Sequence, residues 1–381
     1  MRTKFCLLLT TLLMYFALSA QTQYILLTGQ SNAVAVDGTT NAFNDTMMWT
    51  IGSHTIRNFA FDSNYTHQMS RVKGPGFSSN NLMLGGVGSY GLGIQKYIKD
   101  SLGLKSYLVN GGHQGQPIKN FLCPANRYDC NTAYGRVLLR CYGGGIQDSI
   151  STVIYYQYES DCSTQWQYYA ARFDSLYRTW HRDYPSLKKI VYVSGRPILG
   201  TNRDYQVEMR ELQRTFSKIY PDVVTVTCAG IKALRTDGIH FEDTGYYDLA
   251  NRTMRVLLHP WLQTDVDSAV LKWPPYVKYA DGYVNIHFNY PVSEFRGEAS
   301  DSVKLSDYIF FNNGAKCIAL TYNGNVLSAH YQGATAPTKV WYLPVAGYTG
   351  YGTGSEARYK GPWLRASTGI DFPGFKIDVK S

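Results

Sequence analysis

Ser31 follows the apolar run Tyr24-Ile25-Leu26-Leu27 across Thr28, Gly29 and Gln30, so a hydroxyl stands just past a strand-length segment and a glycine turn. A serine hydroxyl attacks a carbonyl only if a base takes its proton. The sequence supplies one more than two hundred residues downstream, in Asp237-Gly238-Ile239-His240. Asp and His three apart, with glycine between, can place a carboxylate on one imidazole nitrogen and leave the other to face a serine. The carboxylate then fixes the tautomer and stabilises the imidazolium that forms. Acyl transfer also needs donors for the developing oxyanion. The Ser31 amide is one, a glycine amide in Asn110-Gly111-Gly112-His113-Gln114-Gly115 is a second, and the side-chain amide of Gln157 a third, since it donates without adding charge. Alone, each piece has an ordinary reading: a polar turn, a structural hydrogen bond, a buried glutamine tying loops together. Together they point to nucleophilic ester chemistry.

These residues need a scaffold that brings distant loops to one edge. Strand-length apolar runs recur at residues 24–28, 106–109, 152–156, 189–193 and 223–227. Helical patterns lie between them at 94–98, 166–181 and 204–220, with a last one at 246–258. In 204–220, Val207, Leu212, Phe216 and Ile219 repeat at helical spacing and Pro221 follows. Alternating strands and helices predict an α/β domain with a parallel sheet covered on both faces. Reactive groups then belong at the carboxyl ends of the strands. Ser31, Gly115, Gln157 and His240 each follow a different strand run. The polar stretch 37–80 reads as loop with a hairpin around 48–56, where specificity would sit. From Ser268 onward helical period disappears and short runs are separated by Gly, Asn and Asp, which predicts a small antiparallel β module.

Composition narrows the setting. The first residues carry Arg2 and Lys4, an apolar run from Phe5 to Leu18, then Ser19 and Ala20, the pattern of a secretory signal peptide. The run is short for a membrane span and none follows it, so a secreted or periplasmic protein without a membrane span is expected. Beyond Cys6 six cysteines remain, permitting disulfides in an oxidising compartment. Fifteen pairings are open, and Cys123 with Cys130 is the first to try. No Cys-x-x-Cys or His-x-x-x-His spacing suggests a metal. The net charge of +9 is scattered among acids, which does not favour nucleic acid. The 32 tyrosines suit either sugar contacts or strand-rich architecture. Glu159 and Asp161 have the makings of a glycosidase pair, but that leaves the Ser31 turn without a purpose.

The blocks Gly29-Gln30-Ser31-Asn32, Tyr156-Gln157-Tyr158-Glu159-Ser160-Asp161 and Asp237-Gly238-Ile239-His240 resemble, in order and spacing, the sialate O-acetylesterase-like branch of the SGNH/GDSL hydrolases. The resemblance covers residues 24–258. It implies a three-layer flavodoxin-like fold, with Ser31 as nucleophile, His240 as general base and Asp237 as its orienting acid. The oxyanion donors it implies are Ser31, Gly115 and Gln157, with Gly112 a rival for the glycine. No metal or organic cofactor is implied, and the substrate is acetylated carbohydrate, either sialate or plant-type polysaccharide. Tyr158 stands where the family usually has glycine, and Tyr155 near its usual tryptophan, changes expected to narrow or reshape the site. The tail around Ile370-Asp371-Phe372-Pro373-Gly374-Phe375 loosely resembles the ending of sialate O-acetylesterases. The expected organisation is a signal peptide at 1–20, an esterase domain at 21–265 and a β-rich module at 268–381. The rival from another class is a non-catalytic carbohydrate-binding or adhesion protein built on an esterase fold.

Overall fold

The computed structural model describes residues 22–35, 47–51, 88–129, 131–143, 145–198, 205–232, 234–272, 281–299, 301–333, 335–343, 359 and 361–380. The stretch expected to be a leader, most of the loop expected at 37–80, and Cys130 lie outside the described residues. The chain forms two compact units, residues 1–155 with 175–189, and residues 156–174 with 190–381.

The parallel sheet has strands β1 (Gln23–Gly29), β2 (Met48–Ile51), β3 (Ser106–Gly112), β4 (Thr152–Tyr156), β5 (Lys189–Ser194) and β6 (Val223–Thr227), in the order β2-β3-β1-β4-β5-β6. With its helices it is flavodoxin-like. β1, β3, β4 and β6 read as almost continuous apolar runs because a parallel sheet with covered faces buries successive residues alike. Every residue of β3 and β4 is buried. Of the hairpin expected around 48–56, only 48–51 lie among the described residues, and they form β2. Its four residues pair in parallel with β3, and Trp49 stacks on Tyr107 at 5.4 Å. A four-residue edge strand has too little period to announce its partner.

In the first unit, α1 (Ser31–Val34), α2 (Gly88–Leu102) and α3 (Ala133–Gly143) pack against β3. α4 (Tyr169–Asp183) spans both units. In the second, α5 (Gln206–Ile219) and α6 (Asp243–Leu258) pack against β6. α5 departs from its expected apolar face. Val207 and Phe216 are buried, but Ile219 is 61% exposed, and Gln206, Arg210, Gln213 and Arg214 are buried instead. Those polar groups are tolerated because each meets a partner: Gln206 donates to the Ile198 carbonyl, Arg210 to the Tyr158 hydroxyl, Gln213 to the Gln157 carbonyl, and Arg214 to Asp265 and Glu211.

The remaining strands are β7 (Val266–Lys272), β8 (Asp281–Phe288), β9 (Val292–Phe295), β10 (Ile309–Phe311), β11 (Lys316–Asn323), β12 (Val326–Gln332), β13 (Lys339–Tyr342), β14 (Trp363–Ala366) and β15 (Phe375–Lys380). Seven close into a barrel in the order β10-β11-β12-β8-β7-β15-β13, and β9 pairs with β14. The expected antiparallel character holds except where β15 meets β7 in parallel. Val284, Ile286 and Phe288 of β8 alternate inward, as do Leu327, Ala329 and Tyr331 of β12. Period-2 patterning of this kind aims one side of each strand into the barrel core. Phe372 and Phe375 complete that core against Phe288.

Many of the described tyrosines are used as core. Tyr90, Tyr155, Tyr156, Tyr158, Tyr169, Tyr184, Tyr192 and Tyr246 are all fully buried, and none of these eight can offer a sugar platform. Cys123, Cys141, Cys162, Cys228 and Cys317 are free thiols. No disulfide forms among the described residues, and the Cys123 sulfur instead accepts from Arg182 at 3.2 Å. Burial pushes the Cys141 thiol up to about 12 and the Cys228 thiol up to about 11, which makes both unreactive packing groups.

Candidate active site

β1 ends at Gly29 with φ +121°, a backbone state that L side chains rarely adopt. Gln30 is extended and caps the single turn α1, whose first residue is Ser31. Ala35 closes that turn in the left-handed region, its amide on the Ser31 carbonyl at 2.9 Å. Strand, glycine, serine, helical turn is thus the local path, and Ser31 is 8% exposed. Close packing maintains it: a Cβ on Gly88 would lie 2.1 Å from the Val34 carbonyl oxygen, and one on Gly112 2.5 Å from the Val34 side chain.

The segment after β3 separates the two candidate glycines. The Gly112 amide donates to its neighbour Asn110 Oδ1 at 2.8 Å. Gly115 adopts φ +66° with open space around it. Between them the His113 amide donates to the Gly29 carbonyl at 2.7 Å. Burial lowers the His113 imidazole to about 4, so it is neutral at physiological pH.

Gln157 follows β4 and is fully buried. Its carbonyl accepts from the Tyr192 hydroxyl at 2.8 Å, the Gln213 amide at 2.8 Å and the Tyr169 hydroxyl at 3.2 Å. Its side-chain Nε2 donates to Asp161 Oδ2 at 2.6 Å. Glu159 accepts from the Tyr156 hydroxyl at 3.1 Å. A carboxylate on Nε2 decides which way the Gln157 amide faces, because the opposite flip would set oxygen against oxygen.

Tyr158 is buried with its ring over Gly195, where an added Cβ would lie 1.9 Å from the ring. The bulk of Tyr158 is therefore accommodated by a glycine just past the end of the neighbouring strand. Gly195→Ala is expected to destabilise the protein by roughly 1–3 kcal/mol through overpacking. In a thermal-melt double-mutant cycle with Tyr158→Ala, the two effects should couple; strict additivity would show that the ring is not what Gly195 makes room for.

The β6–α6 connection holds the acid and the histidine. Leu234 bridges Phe241, the Arg235 amide donates to the His240 carbonyl at 2.9 Å, and Gly238 takes φ +69°. Asp237 Oδ1 accepts from the Ile239 and His240 amides at 2.8 and 2.9 Å, while Oδ2 lies 2.7 Å from His240 Nδ1. Burial works against ionisation of Asp237, but the His240 ring and the two amides outweigh it and hold its carboxyl below the usual range. An ionised Asp237 on Nδ1 puts the ring proton there and the lone pair on Nε2.

Ser31, Gly115, Gln157 and the Asp237–His240 loop thus follow β1, β3, β4 and β6, and the structure brings Asp237 and His240 into direct contact. The polar anchors of the Gln157 loop, Asp161, Tyr192, Gln213 and Arg210, were not legible as partners in the sequence. Only the Gln157–Asp161 spacing of four gave any local hint.

A parallel flavodoxin-like sheet with a serine turn after its first strand and an Asp–His loop after its last defines a class of α/β hydrolase scaffolds. The family model described as "Carbohydrate esterase, sialic acid-specific acetylesterase" matches residues 21–259, and the chain belongs to this family. It is a carboxylic ester hydrolase acting on acetylated carbohydrate. A carbohydrate acetylesterase from Xanthomonas citri is similar in structure, with TM-score 0.59 and 16% identity over 93% of this chain and 80% of that one. A protein from Arabidopsis thaliana matches at TM-score 0.45 and 18% identity, covering 62% of this chain and 97% of its own. A family two carbohydrate esterase from Cellvibrio japonicus matches at TM-score 0.34 and 12% identity, covering 62% and 61%. At these identities the first likeness bears on fold, and the other two carry no argument. No curated protein matches in sequence.

Proposed function

We propose that this chain is a secreted serine esterase that removes O-acetyl groups from a sialate or a plant-type polysaccharide through an acetyl-enzyme on Ser31. The observation that carries the reading is the 2.7 Å contact between Asp237 Oδ2 and His240 Nδ1, in a chain of this family. In the proposed reaction His240 Nε2 takes the Ser31 proton as Oγ attacks the acetyl carbonyl. The oxyanion accepts from the Ser31 amide, the Gly115 amide and Gln157 Nε2. The tetrahedral centre collapses as His240 returns the proton to the sugar oxygen, and water then releases acetate by the same two steps. The engagement of the Gly112 amide by Asn110 favours Gly115 for the glycine donor. The proposal includes a leader at 1–20, a catalytic region at 21–265 and a β-rich region from 268. Among the described residues no helix is long and apolar enough to cross a membrane.

The test is hydrolysis of a small chromogenic acetate ester, with mass spectrometry of the quenched enzyme for acetyl on Ser31. Acetate release with no covalent intermediate would exclude the acyl-enzyme route, and no release from any acetylated sugar would favour the binding-protein reading. N-terminal sequencing of exported protein checks the leader. Gln157→Ala should lower kcat by roughly 10² with a smaller change in KM, as loss of one oxyanion donor does. An unchanged kcat would return Gln157 to a purely structural role.

A further inference from the structure

The segment Asp371-Phe372-Pro373-Gly374 lies just before β15, far in sequence from the residues assigned to chemistry. Asp371 is fully buried and pairs with Arg365 at 2.8 and 2.9 Å and with Arg252 at 3.3 Å. Arg252, on α6, also donates to the Ala229 carbonyl at 2.7 Å. The next residue, Gly230, has φ +67°, and a Cβ there would lie 2.1 Å from Asp371 Oδ2. The chain leaving β6 therefore runs directly over this carboxylate. Four residues on, Leu234 closes with Phe241 the base of the loop that holds Asp237 and His240.

At its other end the segment reaches Arg210, which contacts the Gln157 loop. A Cβ on Gly374 would lie 2.4 Å from Arg210 Nε and 3.2 Å from the Tyr342 carbonyl oxygen. Arg210 is fully buried and its Nη1 donates to the Tyr158 hydroxyl at 2.7 Å. Tyr158 is the residue after Gln157, and Gly195 leaves its ring the space to extend towards Arg210. Between the two ends, Pro373 lines the same small cavity as Ser194 and Thr227, the last residues of β5 and β6.

We infer that residues 371–374 are a positioning element of the active site, with Asp371 setting the Asp237–His240 loop and Gly374, through Arg210 and Tyr158, setting the Gln157 loop. The inference rests on the esterase reading above for what those loops do. Both loops must sit within a fraction of an ångström of productive geometry, and loops held only by their own turns drift. One short buried segment bearing on both ties their positions together. It also gives Tyr158 a purpose: glycine at that position has no hydroxyl to offer Arg210.

The test uses full-length Asp371→Asn, Gly374→Ala and Tyr158→Phe, compared with the unmodified protein by hydrogen exchange and by steady-state hydrolysis of a small acetate ester. Asn keeps the shape of Asp371 without its charge, and Phe keeps the Tyr158 ring without its hydroxyl. Exchange is expected to rise in peptides covering 229–240 for Asp371→Asn, and in those covering 156–162 for the other two, with the barrel strands protected as before. The expected kcat falls about tenfold or more while KM stays within about twofold, the signature of misplaced rather than missing groups. If Gly374→Ala does not fold, Tyr158→Phe decides that arm. Unchanged exchange in the two loops, loosening spread over the whole barrel, or local loosening with unchanged kcat would each overturn the inference. An unmodified protein inactive on every acetate ester refutes the esterase reading instead, and the exchange pattern then decides the positioning role alone.

Discussion

Ser31→Ala is expected to give a folded protein whose kcat/KM on an acetate ester is lower by about 10⁴- to 10⁶-fold. The substitution removes one oxygen from a site that is 8% exposed, and the turn around it is set by Gly29, by Ala35 and by the Gly88 and Gly112 approaches to Val34. None of these uses the hydroxyl. His240→Ala should cost a similar factor, because the proposed reaction passes the Ser31 proton to that ring. The two together should be little worse than either, since the groups act as one unit. Asp237→Asn tests orientation: it frees Nδ1 to lose its proton, and a drop approaching 10⁴ is the expected consequence. Matched circular dichroism and melting curves for all variants separate chemistry from folding. Near-normal turnover in folded Ser31→Ala would sink the assignment of Ser31 as nucleophile.

A chain ending at Asp265 is expected to be insoluble or to melt far below the full-length protein, although every proposed catalytic group is retained. The reason is the nature of what the later residues cover. Arg252, whose side chain is 6% exposed, loses Asp371 and keeps the half-exposed Asp248 and the Ala229 carbonyl. Arg210 loses the Gly374 and Tyr342 backbone that packs around it. α5 loses β15, along with the Lys376 contacts to Glu208 at 2.8 Å and Glu211 at 3.1 Å. Against a total stability of roughly 5–15 kcal/mol, the joint loss of these contacts is a large fraction. Soluble yield, melting temperature and acetate-ester activity of the truncated chain measure this directly. A soluble truncation with full-length melting temperature and turnover would show the C-terminal strands to be an appended module.

The sequence by itself determined what depends on neighbours along the chain. The strand runs of β1, β3, β4, β5 and β6 were legible because covered parallel strands are continuous apolar segments between turn residues. The Asp237–His240 contact was legible because three residues with Gly238 at φ +69° form a local loop that needs no distant help. The change to a β-rich region after α6 was visible in the loss of helical period. What only the tertiary structure decided is everything that joins residues far apart. A four-residue strand such as β2 carries no mark of its parallel partner, and closure of seven strands into a barrel is a property of pairings rather than of any one strand. α5 shows the limit most clearly. Its apolar spacing named Ile219, which is exposed, while Arg210 and Gln213, polar by type, are buried because Tyr158 and Gln157 wait for them about fifty residues upstream. Burial of a charge is decided by its partner, and the partner's position exists only once the chain has folded.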